Sequence, residues 1–313
     1  LSRTCGLAAR MARSVLLSGL LAGFVSVRAQ NFQGFDDVEL MPIARSDMTA
    51  TAVAEHGQDD RGPRVYLIGG CVADQQCPPD DFCFCPDVTA RVIYYVPRED
   101  RYEVGVMDAP RSRYRHAAAL SNNKIYLFGG RTAEDAIVTP VDVFDIATGQ
   151  WSTPCDWPVE MASSDLTAFE QDGRIFVVGG YDESYGLVSD LYEFLPDSCS
   201  FVPRAAMPTA RGDISAETVQ LCADETSIRH FVIGGFAMDF CAPEAVVESY
   251  SVAEDRWYTH GELIIARGDK AVGHIQNQLF AIGGETKDNP DDCLVLPVDD
   301  VERFVPSEAP EYT

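Results

Sequence analysis

Guanidinium and carboxylate groups recur together along this chain at a spacing that could do chemistry. Arg45 and Asp47 lie in "ARSDM" (44–48), Arg211 and Asp213 in "ARGDI" (210–214), and Arg267 and Asp269 in "ARGDK" (266–270). "PRSRY" (110–114) supplies Arg111 and Arg113, and "ASSDL" (162–166) supplies Asp165 without an arginine. Residues two apart on a strand face the same side, so each Arg–Asp pair reads first as a structural ion pair. Gathered at one place, Arg45, Arg111, Arg113, Arg211 and Arg267 would hold a charged or sugar-like ligand or an acidic peptide. Asp47, Asp165, Asp213 and Asp269 are the alternative catalytic set, one carboxyl as acid and another as base or nucleophile on a glycoside. Alternating arginines are expected to lower the pKa of these aspartates, which is wrong for a general acid. Two copies also spell Arg-Gly-Asp, the tripeptide that cell-adhesion receptors read.

The elements around these residues repeat. Five apolar runs of strand length end in Gly-Gly: "VYLIGG" (65–70), "IYLFGG" (125–130), "IFVVGG" (175–180), "HFVIGG" (230–235) and "LFAIGG" (279–284). Aromatics then follow seven apart, Tyr95/Tyr102, Phe144/Trp151, Phe194/Phe201 and Tyr250/Trp257, with Phe304/Tyr312 one residue longer. Turn residues between them, as in "DIATGQ" (145–150), make each pair a hairpin. The Arg/Asp stretch precedes every Gly-Gly run, and most copies carry a pair like Met41-Pro42 or Met207-Pro208 just before it. Arg-Gly-Asp is therefore expected to be a by-product of one repeat position, with adhesion the lesser reading.

Gly-Gly after an apolar strand, an aromatic hairpin ending in Trp151 or Trp257, and "MP..R" at about fifty residues resemble the kelch repeat over roughly residues 32–313. Tyr102, Phe201 and Tyr312 depart from it by standing where tryptophan is usual, as does Ser163 where the others carry arginine. The resemblance implies an all-β fold, a β-propeller of four-stranded antiparallel blades. Five blades are expected, with residues 31–42 adding the strand that closes the ring, or six if the chain is truncated. With the strands of a blade labelled A to D, the B–C loops (71–90, 131–140, 181–188, 236–246, 285–298) are long and share a face with the D–A links. The expected function is a binding module that takes a protein segment or glycan on that face. The alternative is a sugar-active propeller of glycosidase or sugar isomerase type.

Composition bounds the rest. The 313 residues carry a formal net charge of −25, which disfavours nucleic acid and anionic lipid and favours cations and basic partners. Residues 11–29 read as a secretory signal peptide, with a basic start, the apolar run "SVLLSGLLAGFVSV" (14–27) and a small residue at Ala29. That reading makes residues 1–10 upstream sequence and 30–313 the exported propeller, secreted or extracellular, with no membrane span and a charge of 20 − 49 = −29. In that compartment Cys71, Cys77, Cys83, Cys85, Cys155, Cys199, Cys222, Cys241 and Cys293 are disulfide candidates of undetermined pairing, one of them left over. Zinc suits "CVADQQCPPDDFCFCPD" (71–87) poorly, so no metal or cofactor is expected. Calcium at "PPDDFC" (78–83) or "KDNPDDC" (287–293) is the alternative, and turn chemistry explains both as well. Trp157, Tyr181 and Tyr185 stand near loops where they could stack on a ligand, although local packing is the plainer reading. No phosphate-binding loop, zinc-protease helix or serine-hydrolase elbow occurs. The five histidines read as structural.

Overall fold

Short β-branched and aromatic runs, each stopped by glycine or a turn, can only bury their apolar faces by stacking as sheets. The computed structural model describes residues 39–54, 62–72, 85–104, 106–221, 227–237, 242–275, 277–287 and 295–306. Blade one is β1 (Thr49–Val53), β2 (Arg64–Ile68), β3 (Val92–Val96) and β4 (Arg101–Val104). Blade two is β5 (Ala117–Ser121), β6 (Lys124–Phe128), β7 (Pro140–Asp145) and β8 (Gln150–Asp156). Blade three is β9 (Thr167–Gln171), β10 (Arg174–Val178), β11 (Leu191–Leu195) and β12 (Ser200–Arg204). In blade four, β13 (Ser215–Gln220) and β14 (Ile228–Ile233) are followed by a small ribbon, β15 (Phe236–Ala237) with β16 (Ala242–Pro243), then by β17 (Val246–Ser251) and β18 (Arg256–Glu262). Blade five has β19 (Ala271–Ile275), β20 (Gln278–Ile282), the ribbon β21 (Glu285–Lys287) with β22 (Val295–Pro297), and β23 (Val301–Phe304). Every pairing is antiparallel and sequential save where the ribbons of blades four and five intervene, and three strands of the fifth sheet fall among the described residues.

The first strands of successive blades, β1, β5, β9, β13 and β19, neighbour one another around a common axis. The result is a five-bladed, all-β propeller. Its core lies between blades. One apolar cluster joins Tyr66, Ile68 and Val92 of blade one to Ile125, Leu127 and Phe144 of blade two. Comparable clusters fill the seams between blades two and three, three and four, and four and five. The aromatic pairs are direct cross-strand neighbours, with ring centroids 5.0 Å apart at Tyr95/Tyr102 and Phe144/Trp151, 4.9 Å at Phe194/Phe201 and 5.3 Å at Tyr250/Trp257. Trp151 and Trp257 reach across a seam as well, their indole N–H groups donating to Met107 O at 2.9 Å and Ala205 O at 2.7 Å in the preceding blade. A tryptophan at this position therefore adds a hydrogen bond that phenylalanine cannot.

Two disulfides are described. Cys71–Cys85 closes the B–C loop of blade one, and Cys155–Cys199 ties β8 of blade two to the β11–β12 turn of blade three. Cys77, Cys83, Cys222, Cys241 and Cys293 lie outside the described residues, as do residues 1–38, Tyr312 and nearly all of both acidic loops. Among the described residues no helix is long and apolar enough to cross a membrane. The A–B turns are tight in blades two and three, where Asn122, Asn123, Asp172 and Gly173 adopt positive φ. In blade one the same link runs from Val53 to Arg64, so long connections are not confined to the B–C face.

Candidate functional site

The recurring Asp position sits two residues before the first strand is entered, and its backbone is left-handed. Asp47, Arg115, Asp165, Asp213 and Asp269 have φ of 52°, 57°, 57°, 53° and 49°. Their amides form a circuit about the axis. Arg115 N–H donates to Asp47 O at 2.9 Å, Asp165 to Arg115 at 2.8 Å, Asp213 to Asp165 at 3.0 Å and Asp269 to Asp213 at 3.3 Å. Aspartate tolerates this conformation better than most residues. The circuit also corrects the repeat register. In the second copy the equivalent pair is Arg113 and Arg115, not Arg111 and Arg113, and an arginine takes the aspartate's place.

The left-handed residue breaks strand alternation, so Arg and Asp do not share a face. The aspartates point to the axis and the arginines turn into their own blades. Arg113, Arg211 and Arg267 are 0% exposed. Each bonds the carbonyl of the first glycine of its own Gly-Gly pair: Arg113 to Gly129 at 3.2 Å, Arg211 to Gly234 at 2.8 Å and Arg267 to Gly283 at 3.1 Å. Arg45 does so at Gly69 (3.1 Å), and Ser163 Oγ takes the role at Gly179 (2.9 Å). A carboxylate on the third strand meets each fully buried guanidinium, Asp142 for Arg113, Glu248 for Arg211 and Glu302 for Arg267. Arg111 reaches the same Asp142 at 2.8 Å. Arg113, Arg211 and Arg267, three of the five arginines expected to hold a ligand, are thus spent inside the blades, because buried guanidinium groups must find carbonyl and carboxylate partners, while Arg45 and Arg111 stay partly exposed. Glu193 shows the compensation where Ser163 replaces arginine, since its carboxylate pairs with Arg174 and Arg204 instead.

Arg-Gly-Asp follows from the same seams. In three seams the residue after Gly-Gly packs onto the residue before the next blade's left-handed position. A Cβ on Gly212 would lie 2.1 Å from the Tyr181 ring, and one on Gly268 would lie 2.2 Å from Phe236. Where the partner is Arg131, Ser164 is accommodated and accepts a hydrogen bond from its Nε at 2.9 Å. Glycine is there to admit an aromatic ring. The arginine of both tripeptides is buried, so an adhesion receptor could not read them. Gly212→Ala should cost about 2–3 kcal/mol by overpacking, seen as a lower urea midpoint with an unchanged spectrum of the remaining fold. An unchanged midpoint would show that the Tyr181 ring can retreat. Tyr181 and Trp157 are themselves buried, and Tyr185 carries the Arg131 guanidinium 3.8 Å over its ring, so these three aromatics serve packing.

What faces the axis is acidic. A cavity of about 650 Å³ is lined by Asp47, Asp165, Asp213, Asp269 and Glu285, with Arg115, Lys270 and His116 as the basic groups. Arg115 Nε stands 3.5 Å from Asp165 Oδ1. Lys270 Nζ reaches the backbone oxygen of Asp213 at 3.4 Å, and Tyr181 donates its hydroxyl to Asp213 Oδ2 at 3.0 Å. Burial, opposed by Arg115, raises Asp165; burial and the charges of Asp165 and Asp269 raise Asp213 well above the usual carboxylate range. Enclosure in the channel, with Asp47, Asp165 and Glu285 alongside, pushes Asp269 up to about 7 although its side chain still meets channel water. Burial lowers Lys270 to about 7 and keeps His116 neutral. The expectation that arginines hold these acids down is overturned for Asp165, Asp213 and Asp269, since only Arg115 faces them and burial outweighs it. Among the described residues no three His, Cys, Asp or Glu side chains are placed to hold a metal ion.

Blades joined at Gly-Gly and locked by a buried Arg–carboxylate pair define a propeller scaffold with its free chemistry at the channel. The chain belongs to the kelch-repeat family: the KLHDC2/KLHL20/DRC7 Kelch-repeats domain matches residues 48–284. It is similar to Beta-scruin of Limulus polyphemus, 24% identical over 192 residues, which is 58% of this chain and 20% of that one. A putative F-box/kelch-repeat protein of Arabidopsis thaliana is 30% identical over 133 residues, 41% of this chain and 29% of the relative. Kelch-like protein 25 of Xenopus tropicalis is 23% identical over 203 residues, 62% and 33% respectively. The aligned regions thus span between a fifth and a third of these curated relatives. Family and architecture together support a binding module.

Proposed function

We propose that the propeller is an exported module that binds a protein segment on the face carrying the B–C and D–A loops. The observation that carries this reading is the acidic cavity at the channel mouth, open to solvent on a rigid rim of hydrogen-bonded blade starts. Binding residues on such a scaffold gain from fixed geometry, which lowers the ordering cost of association. The Cys71–Cys85 and Cys155–Cys199 bonds support an oxidising compartment. Probing the purified chain on secreted-protein and glycan arrays should give a saturable protein complex that Glu285→Arg at the mouth abolishes. Thr148→Arg, exposed in a turn at the opposite end of its blade, should leave it intact. A complex indifferent to Glu285→Arg, or binding to glycans alone, would refute the assignment.

The raised carboxyls of Asp165 and Asp213 favour a second reading, acid–base cleavage of a glycoside in the channel. It requires turnover of aryl glycosides that disappears in Asp213→Asn; no turnover across a glycoside panel removes it.

A further inference from the structure

We propose that the channel mouth accepts one cationic group of the bound segment, a lysine ammonium or an arginine guanidinium, among Asp47, Asp165, Asp213 and Asp269. The inference rests on the protein-binding reading above and names what that face selects. Five carboxyl groups line the cavity against two cationic side chains, Arg115 and Lys270. Lys270 does not neutralise them directly, because among the described residues its ammonium makes no carboxylate ion pair and touches only the Asp213 carbonyl. Asp165 is 7% exposed and lines the cavity; its Oδ1 faces Arg115, while its Oδ2 accepts no hydrogen bond and has the Asp213 acid and the Ser164 hydroxyl as neighbours. A buried acceptor so placed can take a ligand N–H. The four aspartates are also preorganised, each held on a left-handed residue by the amide circuit.

The occupant follows from charge and shape. An anion would meet an excess of negative charge. A hard metal ion needs several oxygens converging on one point, whereas these carboxyls are spread round a rim over four of the five blades. A guanidinium offers five N–H donors and an ammonium three, dispersed enough to address such a rim. Asp165, Asp213 and Asp269, whose pKa burial raises, lose protons more readily once a cation arrives, so binding releases protons. The groups facing the ligand are Asp47, Arg115, His116, Asp165, Tyr181, Asp213, Asp269, Lys270 and Glu285. As pH rises through about 7, Asp269 gains its negative charge and Lys270 loses its positive one, and both changes favour the cation. Below that range Asp269 regains its proton and affinity falls. His116 stays neutral and Arg115 stays charged across the range.

The test titrates the folded chain with N-acetyl-lysine methylamide and N-acetyl-arginine methylamide, with N-acetyl-norleucine methylamide as the uncharged control. The cationic probes should bind about tenfold more tightly than norleucine, and weaken about tenfold from about pH 8 to about pH 5.5. Calorimetry in two buffers should record proton release. Asp213→Asn should weaken binding and Lys270→Met should tighten it several-fold; a merely damaged fold would weaken both. Equal binding of norleucine, a pH-independent Kd, or weaker binding by Lys270→Met would overturn the proposal. An array partner that binds equally well after its own lysines and arginines are replaced would overturn this inference while sparing the docking face. Probe binding without any array partner would do the reverse.

Discussion

Glu248→Ala should destabilise the propeller by about 3–5 kcal/mol, the range for stranding one charge of a buried ion pair. Arg211 is 0% exposed and its Nη1 donates to Glu248 Oε2 at 2.5 Å. Thr209 also donates to Glu248 Oε1, at 2.9 Å, so the substitution removes two contacts. Burial already pulls the guanidinium below its ordinary pKa, with Glu248 the chief opposing influence. Three carbonyls, of Gly234, Thr209 and Val232, still accept from Arg211, so the loss is that of charge compensation rather than of every hydrogen bond. Glu248→Gln should accordingly be milder, and Arg211→Met with Glu248→Leu should recover much of the stability, because an apolar pair of similar volume replaces an ionic one. The check is a set of urea denaturation curves. A loss under about 1 kcal/mol for Glu248→Ala would mean that water or a neighbouring group reaches the guanidinium.

Removing the Cys155–Cys199 bond by changing both residues to alanine should cost about 4 kcal/mol, from the entropy of a 44-residue loop released in the unfolded chain. The site favours attributing such a loss to the cross-link. Cys155 packs in the apolar cluster between blades two and three, where alanine removes one small atom, and Cys199 lies beside it. The double variant keeps Cys71–Cys85, so its denaturation midpoint is compared with wild type without reductant. It should also gain little further sensitivity from dithiothreitol beyond that of the disulfides it retains. Equal midpoints for variant and wild type would show that the seam alone fixes the two blades.

The architecture was open to inspection in the letters. Gly-Gly marks the strand ends because a Cβ on Gly70 would lie 2.5 Å from Ser46 O and one on Gly129 would lie 2.0 Å from Ser163 O; that demand admits almost no other residue. The aromatic hairpins were equally direct, since seven-residue spacing places the rings opposite. The site was half visible. The aspartates do gather at the axis, but the arginines do not, because the period-two rule fails at a left-handed residue and sequence alone does not announce one at Asp47 or Asp213. A spacing shared by three of the five copies held the missing signal. Sixteen residues separate Arg113 from Gly129, Ser163 from Gly179 and Arg267 from Gly283, and counting back from Gly129 passes over Arg111. The internal carboxylates had a mark too: in "VDVF" (141–144), "VESY" (247–250) and "VERF" (301–304) the acid stands two residues before the aromatic. Lys270 and His116 carried none, since their role depends on which wall of the channel they line.

The seams have a bearing on how such a chain can drift. Tyr181 with Gly212, Phe236 with Gly268 and Arg131 with Ser164 divide a similar thickness unequally between two neighbouring copies. Bulk gained on one side is surrendered on the other. The half of a copy that ends in Gly-Gly is therefore bound in its history to the opening half of the next copy, and the natural unit of inheritance straddles two repeats.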